Sequence, residues 1–194
     1  MNRNANPDQP IHTLLSERFS PYNFDPSKDV AANDLQALFE AARWTASAFN
    51  AQPWRYIVGR RSSQPDIWQA VHDVLVPGNQ IWAQHVPVLA LGLIRTDFEH
   101  NGKPNAWAQH DLGAASANLT VEATSRGIRV HQMAGIEPDR ATERFDLPGN
   151  IQPVTALAIG YAGVNEALDA EISARDANER QRLAVGNLLI AGDL

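Results

Sequence analysis

The residues Phe49-Asn50-Ala51-Gln52-Pro53-Trp54 gather two amides, a proline and two aromatics in one short loop. Asn and Gln side chains each donate and accept, so together they can read a heterocycle with alternating donors and acceptors. Arg18 and Ser20, two apart in Glu17-Arg18-Phe19-Ser20, suit a phosphate or a sugar chain, because a guanidinium pairs with phosphate in bidentate fashion. A cation closing a helix also needs no ligand, since the helix dipole favours it there. Arg180 and Arg182 alternate in Glu179-Arg180-Gln181-Arg182 and would converge on one anion from an extended segment. A solvated polar linker is the commoner use of such a pair. Asn79, in Pro77-Gly78-Asn79-Gln80, reads as the cap of a short helix over 80–84.

Other chemistry is excluded by what is missing. The chain has no cysteine, which removes disulfides, Cys-ligated zinc, iron–sulfur clusters and thiol catalysis. His72, His85, His110 and His131 lack metal-ligand spacing, and His12 and His100 read as surface residues. His110 and Asp111 are neighbours on a helix and cannot face each other as a dyad. There is no G-x-G-x-x-G and no Walker A motif, so a phosphate-bearing ligand would rely on arginines.

The 194 residues suit one domain, read here as 11–194 with residues 1–10 as a loose arm. A hydrophobic fraction of 44% and a charged fraction of 20% are those of a soluble globular chain. The net charge of −6 argues against nucleic acid. The polar N-terminus does not read as a secretory signal, and the longest apolar run, Val86 to Ile94, is too short to span a bilayer. A cytoplasmic protein without nucleic-acid or membrane partners is expected.

The elements that must position these residues follow from periodicity. Ile11 to Phe19 reads as a short helix. Asn33 with Gln36 forms a capping-box pattern before an apolar face of Leu35, Leu38, Phe39 and Ala42 that ends near Trp44. Strands are expected at Trp54–Gly59, Val86–Arg95 (buried on both faces), Ile128–Gln132 and Val154–Tyr161, with a last one at Leu188–Ile190. Helices are expected at Gln64–Leu75, Trp107–Arg126 and Pro138–Phe145, the long one stopped by Gly127. Its small residues Gly113 to Ala117 permit close backbone approach. The fold class is α+β.

In order and spacing these pieces resemble the FMN-dependent nitroreductase family, over roughly Ile11 to Gly192. The resemblance rests on Arg18-x-Ser20, Phe24-Asp25-Pro26, Ser47-Ala48-Phe49-Asn50-Ala51-Gln52-Pro53-Trp54, Asn79, Asp111-x-Gly113, Gln132-Met133-Ala134-Gly135 and Arg180-x-Arg182. It implies a central, mostly antiparallel sheet flanked by helices and a homodimer with FMN at the subunit interface. By position, Arg18, Ser20, Arg180 and Arg182 would hold the phosphate and ribityl chain, and Ala46, Ser47, Ala48 and Asn50 of the partner subunit would line the flavin. Asn79 would meet the pyrimidine edge, and Met133, Ala134 and Gly135 would face N5. Phe19, Tyr22 and Gln52 complete the expected cofactor contacts. No catalytic side chain is implied: NADH or NADPH would reduce FMN, and a nitroaromatic, quinone or similar acceptor would reoxidise it. A flavin store or sensor, or a different flavin reduction, is the alternative. Three departures stand out. Tyr22 and Trp82 occupy places where the family has basic residues, and Thr45-Ala46-Ser47-Ala48 replaces the commoner Ala-Pro-Ser-Ser.

Overall fold

A computed structural model of the chain describes residues 3–192. Its helices are α1 (Thr13–Glu17), α2 (Ala32–Arg43), α3 (Pro65–Asp73), α4 (Pro77–Ala83), α5 (Ala108–Ser125), α6 (Pro138–Arg144) and α7 (Ala170–Ala174). Four strands, β1 (Trp54–Arg60), β2 (Val88–Arg95), β3 (Arg129–Met133) and β4 (Ile151–Gly160), form one antiparallel sheet in the order β1-β2-β4-β3. The expected α+β class with a central antiparallel sheet is therefore present.

Alternation along β2 builds the two halves of the core. Leu89, Leu91 and Leu93 point to one face and pack with Trp68, Val71, Trp82 and Met133. Val88, Ala90 and Ile94 point to the other, against Leu35, Leu38, Leu112, Ala115 and Leu119 of α2 and α5. Every β2 residue from Val88 to Ile94 is buried, as a strand covered on both faces requires. Gly59 lets α3 cross β1 directly, since a Cβ there would lie 2.4 Å from the Trp68 backbone. β1 and β3 are the sheet edges.

Several local expectations are corrected. Helix α2 begins at Ala32, with Ala31 as its cap and no side-chain cap bond, so Asn33 lies inside the first turn. Asn79 lies inside α4, which starts at Pro77, because proline is pre-set for a first helical turn. Leu188–Ile190 is not a strand; Val185–Leu188 is a 3-10 turn, and strand hydrogen bonds need a neighbour that one chain does not offer there. The small-residue run in α5 divides, with Ala115 and Ser116 buried while Gly113 and Ala117 face outward. Gly127 does end α5, at φ +71°. Helix α7 was not anticipated, although Asp169 caps it by accepting from the Glu171 and Ile172 amides.

Among the described residues no helix is long and apolar enough to cross a membrane. None of their His, Asp and Glu side chains cluster in a metal-binding group.

Candidate functional site

Helix α1 ends at Arg18, whose backbone turns extended and whose guanidinium donates to Ser20 Oγ at 3.4 Å. Burial lowers the Arg18 pKa, and the nearby Arg182 lowers it further. Arg180 is lowered by burial first, then by Arg18, Arg182 and Arg3. Guanidiniums from both ends of the chain thus face one another. Arg180 donates to the Arg3 and Ser16 carbonyls, each at 2.8 Å, and Arg182 to the Gln181 carbonyl. These bonds satisfy N–H groups without neutralising charge. Among the described residues Arg3 alone of this set has an ion pair, with Asp176 at 3.0 Å. Arg3 and Arg129 both lie over the Phe19 ring, 5.2 and 5.0 Å from its centroid.

Asp176 organises the adjoining loop. It accepts from the Tyr22 amide at 3.0 Å, the Asn23 amide at 2.8 Å and the Asn23 side chain at 3.1 Å. Tyr22 then packs edge-on against Trp82, with ring centroids 5.3 Å apart, and against His131, at 4.9 Å. The Arg175 guanidinium sits 5.5 Å from the Tyr22 ring centroid.

The far end of β3 forms a second group. The Asn79 side chain donates to the Gly135 carbonyl at 3.0 Å, and a Cβ on Gly135 would lie 2.6 Å from Asn79 Nδ2. The Val76 amide donates to the same carbonyl at 3.1 Å. The Met133 side chain is buried in the core and its carbonyl accepts from Thr155 Oγ1 at 2.8 Å. Ala134 is exposed. Strand β3 therefore runs from the arginine end, at Arg129, to the Asn79–Gly135 contact.

The α2–β1 loop is a third group. Phe49, Asn50 and Gln52 have φ of +53°, +54° and +47°. Asn tolerates this left-handed region; a bulky Phe there is an outlier. The loop is held by the Ala48 amide donating to the buried Asp111 carboxylate at 3.1 Å and the Gln52 amide donating to Ser47 Oγ at 2.9 Å. Gln52 Nε2 also donates to the Asn50 carbonyl at 3.1 Å. Ala46 is exposed, and Phe49, 84% exposed, meets the Phe98 ring edge-on at 5.7 Å.

Arg18, Phe19, Ser20, Tyr22, Arg180 and Arg182 thus come together, and Asn79 meets Gly135. Ser47, Ala48, Asn50 and Gln52 bond to one another and to Asp111 rather than to either of those groups. Sequence reasoning missed Arg3, Arg129, His131, Arg175 and Asp176, whose types carry no spacing signal. It noted Asp111 only by position, without its role as the anchor of the loop.

The family described as the nitroreductase family matches residues 15–161. The chain belongs to it. A 15.4 kDa uncharacterised protein of Mycolicibacterium smegmatis is 33% identical over 71% of this chain and 95% of its own length. The major NAD(P)H-flavin oxidoreductase of Aliivibrio fischeri is 26% identical over 84% and 92%. The crystal structure of an oxidoreductase containing FMN superposes with a TM-score of 0.89 at 28% identity, covering 100% of this chain and 96% of that one.

Within this nitroreductase-family chain, the two positions where the resemblance anticipated cations are neighbours. Tyr22 and Trp82 touch each other and His131, so an aromatic cluster fills that place. Trp82 is 1% exposed, and its Nε1 has no hydrogen-bond partner among the described residues. The cations that do face the cluster are Arg175, over Tyr22, and Arg18, beside His131.

Proposed function

We propose that the chain is an FMN-dependent NAD(P)H oxidoreductase that works as a homodimer and reduces nitroaromatics, quinones or similar small acceptors. One observation carries the reading: Arg18, Arg180 and Arg182 converge beside Ser20, and none of the three forms an ion pair among the described residues. Gathering like charges is unfavourable unless an anion joins them, and a phosphate matches the donor set in charge and geometry. A 360 Å³ cavity adjoining the cluster is lined by Arg3, Asn4 and Arg180 together with the carboxylates Asp176 and Glu179. The names of the Aliivibrio fischeri oxidoreductase and of the FMN-containing structure support the same assignment.

The residues divide the work by position. Arg18, Ser20, Arg180 and Arg182 bind the phosphate and ribityl end, with Phe19 held under two guanidiniums as the wall behind them. Asn79 spends its amide N–H on Gly135, which leaves Oδ1 to accept from the ring edge. The backbone at Met133–Gly135 orients the ring centre, and Tyr22 borders it. In the dimer, Ala46, Ser47, Ala48, Asn50 and Gln52 of one chain cover the ring held by the other and exclude water, on a loop set by Asp111. When bound, FMN supplies hydride transfer from NAD(P)H to the second substrate, while the protein contributes position and electrostatics. The two substrates use one face in turn, so kinetics are ping-pong.

Dimerisation has its own support. Leu183, Val185, Leu188, Leu189 and Ile190 are exposed on the single chain, Ile190 fully. A cluster of apolar residues of this kind marks a protein contact, and a second copy would bury it and offer Leu188–Ile190 a strand to pair with.

Anaerobic addition of NADH and NADPH to the FMN-loaded protein tests the activity. Rapid bleaching, followed by recovery on adding a quinone or nitroaromatic, is expected. A flavin store with little turnover is the second reading, favoured by the uncharged Tyr22 and Trp82. Slow bleaching with both nucleotides in protein that retains FMN would select it.

A further inference from the structure

His131 lies in the middle of β3, between Arg129 at the arginine end and Met133 near the Asn79–Gly135 contact. Alternation places Arg129, His131 and Met133 on the same face. The imidazole is boxed by the Tyr22 ring, 4.9 Å away, and the Trp82 ring, 4.6 Å away. Its Nδ1 lies 2.8 Å from the Pro21 carbonyl oxygen. That oxygen only accepts, so Nδ1 carries the proton and Nε2 of the neutral ring is a free acceptor.

The charges around the ring come from two segments. Burial, the largest influence, opposes protonation and lowers the pKa; the Pro21 carbonyl and Asp176, after α7, favour protonation, and Arg18, after α1, opposes it. Arg175, next to Asp176, faces the ring only across Tyr22. Trp82, on α4, brings no charge. Arginines stay charged throughout, so among these neighbours His131 is the group able to gain a positive charge when one is needed.

We propose that His131 is a positioning residue that changes charge with the redox state of the flavin, neutral beside the oxidised ring and imidazolium beside the reduced one. This rests on the FMN reading of the site. Reduction by dithionite brings two electrons into the site, and an added negative charge close to the ring raises its affinity for a proton. That proton comes from bulk water and ends on Nε2, with no covalent bond made to the flavin. The chain thereby provides by titration the countercharge that Tyr22 and Trp82 do not carry.

The test is ¹⁵N NMR of the histidine rings in the FMN-loaded protein, oxidised and then dithionite-reduced near neutral pH. Proton uptake is followed in parallel with an indicator dye. The expected result is a His131 Nε2 resonance that moves from the unprotonated to the protonated range on reduction. Uptake per flavin should exceed that of H131N by up to one proton; asparagine keeps a donor for the Pro21 carbonyl but cannot titrate. An Nε2 resonance with the same protonation in both states, or equal uptake by the two proteins, overturns the inference while leaving the cofactor assignment intact. Protein that takes up no FMN overturns both.

Discussion

At the scale of single residues, Arg182 is the cleanest probe of the arginine cluster. Its guanidinium donates to the Gln181 carbonyl, whereas Arg180 also ties down the chain at Arg3 and Ser16. Losing a charged contact to phosphate costs about 1.5–3 kcal/mol, so R182A should weaken FMN binding by roughly 10- to 100-fold. The stability of the FMN-free protein should be unchanged or slightly higher, because Arg18 and Arg180 lose a like-charged neighbour. Quenching of FMN fluorescence and urea melts read the two effects. A second residue-scale prediction concerns pH. The pKa values of His131 and His85 are lowered from 6.5, chiefly by burial. The unfolded chain then binds more protons in the window below 6.5, so the FMN-free protein loses stability as pH falls from that value toward the lowered folded pKa values. H131N should flatten this loss in melts taken across the window; an identical slope would contradict it. The arginine pairs and Asn50 were legible because they stand close in sequence. Arg3 and Asp176, which are 173 positions apart, were not, since nothing local announces a contact made by the whole fold.

At the scale of elements, close approach across the β3 end decides what is tolerated. A Cβ at Gly135 would lie 2.6 Å from Asn79 Nδ2 and 2.7 Å from Val76 Cγ2. G135A should therefore destabilise the protein by about 1–3 kcal/mol, the usual cost of overpacking, and displace Asn79 from the site. Urea melts and FMN affinity would both fall, while G113A, with nothing within 4 Å of its Cβ, would leave the packing untouched. The strands were readable because their patterns are extreme, above all the unbroken apolar run of β2. The start of α2 was misread because Asn33 imitates a cap two residues too late, although Asp34 in the first turn favours the same helix end. The left-handed backbone of Phe49 had no signal in the sequence. The neighbouring Asn50 and Pro53 marked a loop without fixing its shape.

At the scale of the whole molecule, the proposed dimer is what would complete the site. The loop with Asn50 bonds within itself and to Asp111 rather than to the arginine cluster, and Leu183, Val185, Leu188, Leu189 and Ile190 are exposed. Leu188–Ile190 was misread because its apolar character suggested a strand, whereas apolarity alone supplies no hydrogen-bonding neighbour, and none pairs with it among the described residues. The most direct measurement is gel filtration with light scattering and flavin absorbance recorded on one peak of the purified protein. A yellow species of twice the 21.3 kDa chain mass, carrying one FMN per chain, is the predicted result. A colourless protein that FMN cannot reconstitute, or a monomer that binds FMN as tightly as any dimer, would contradict it.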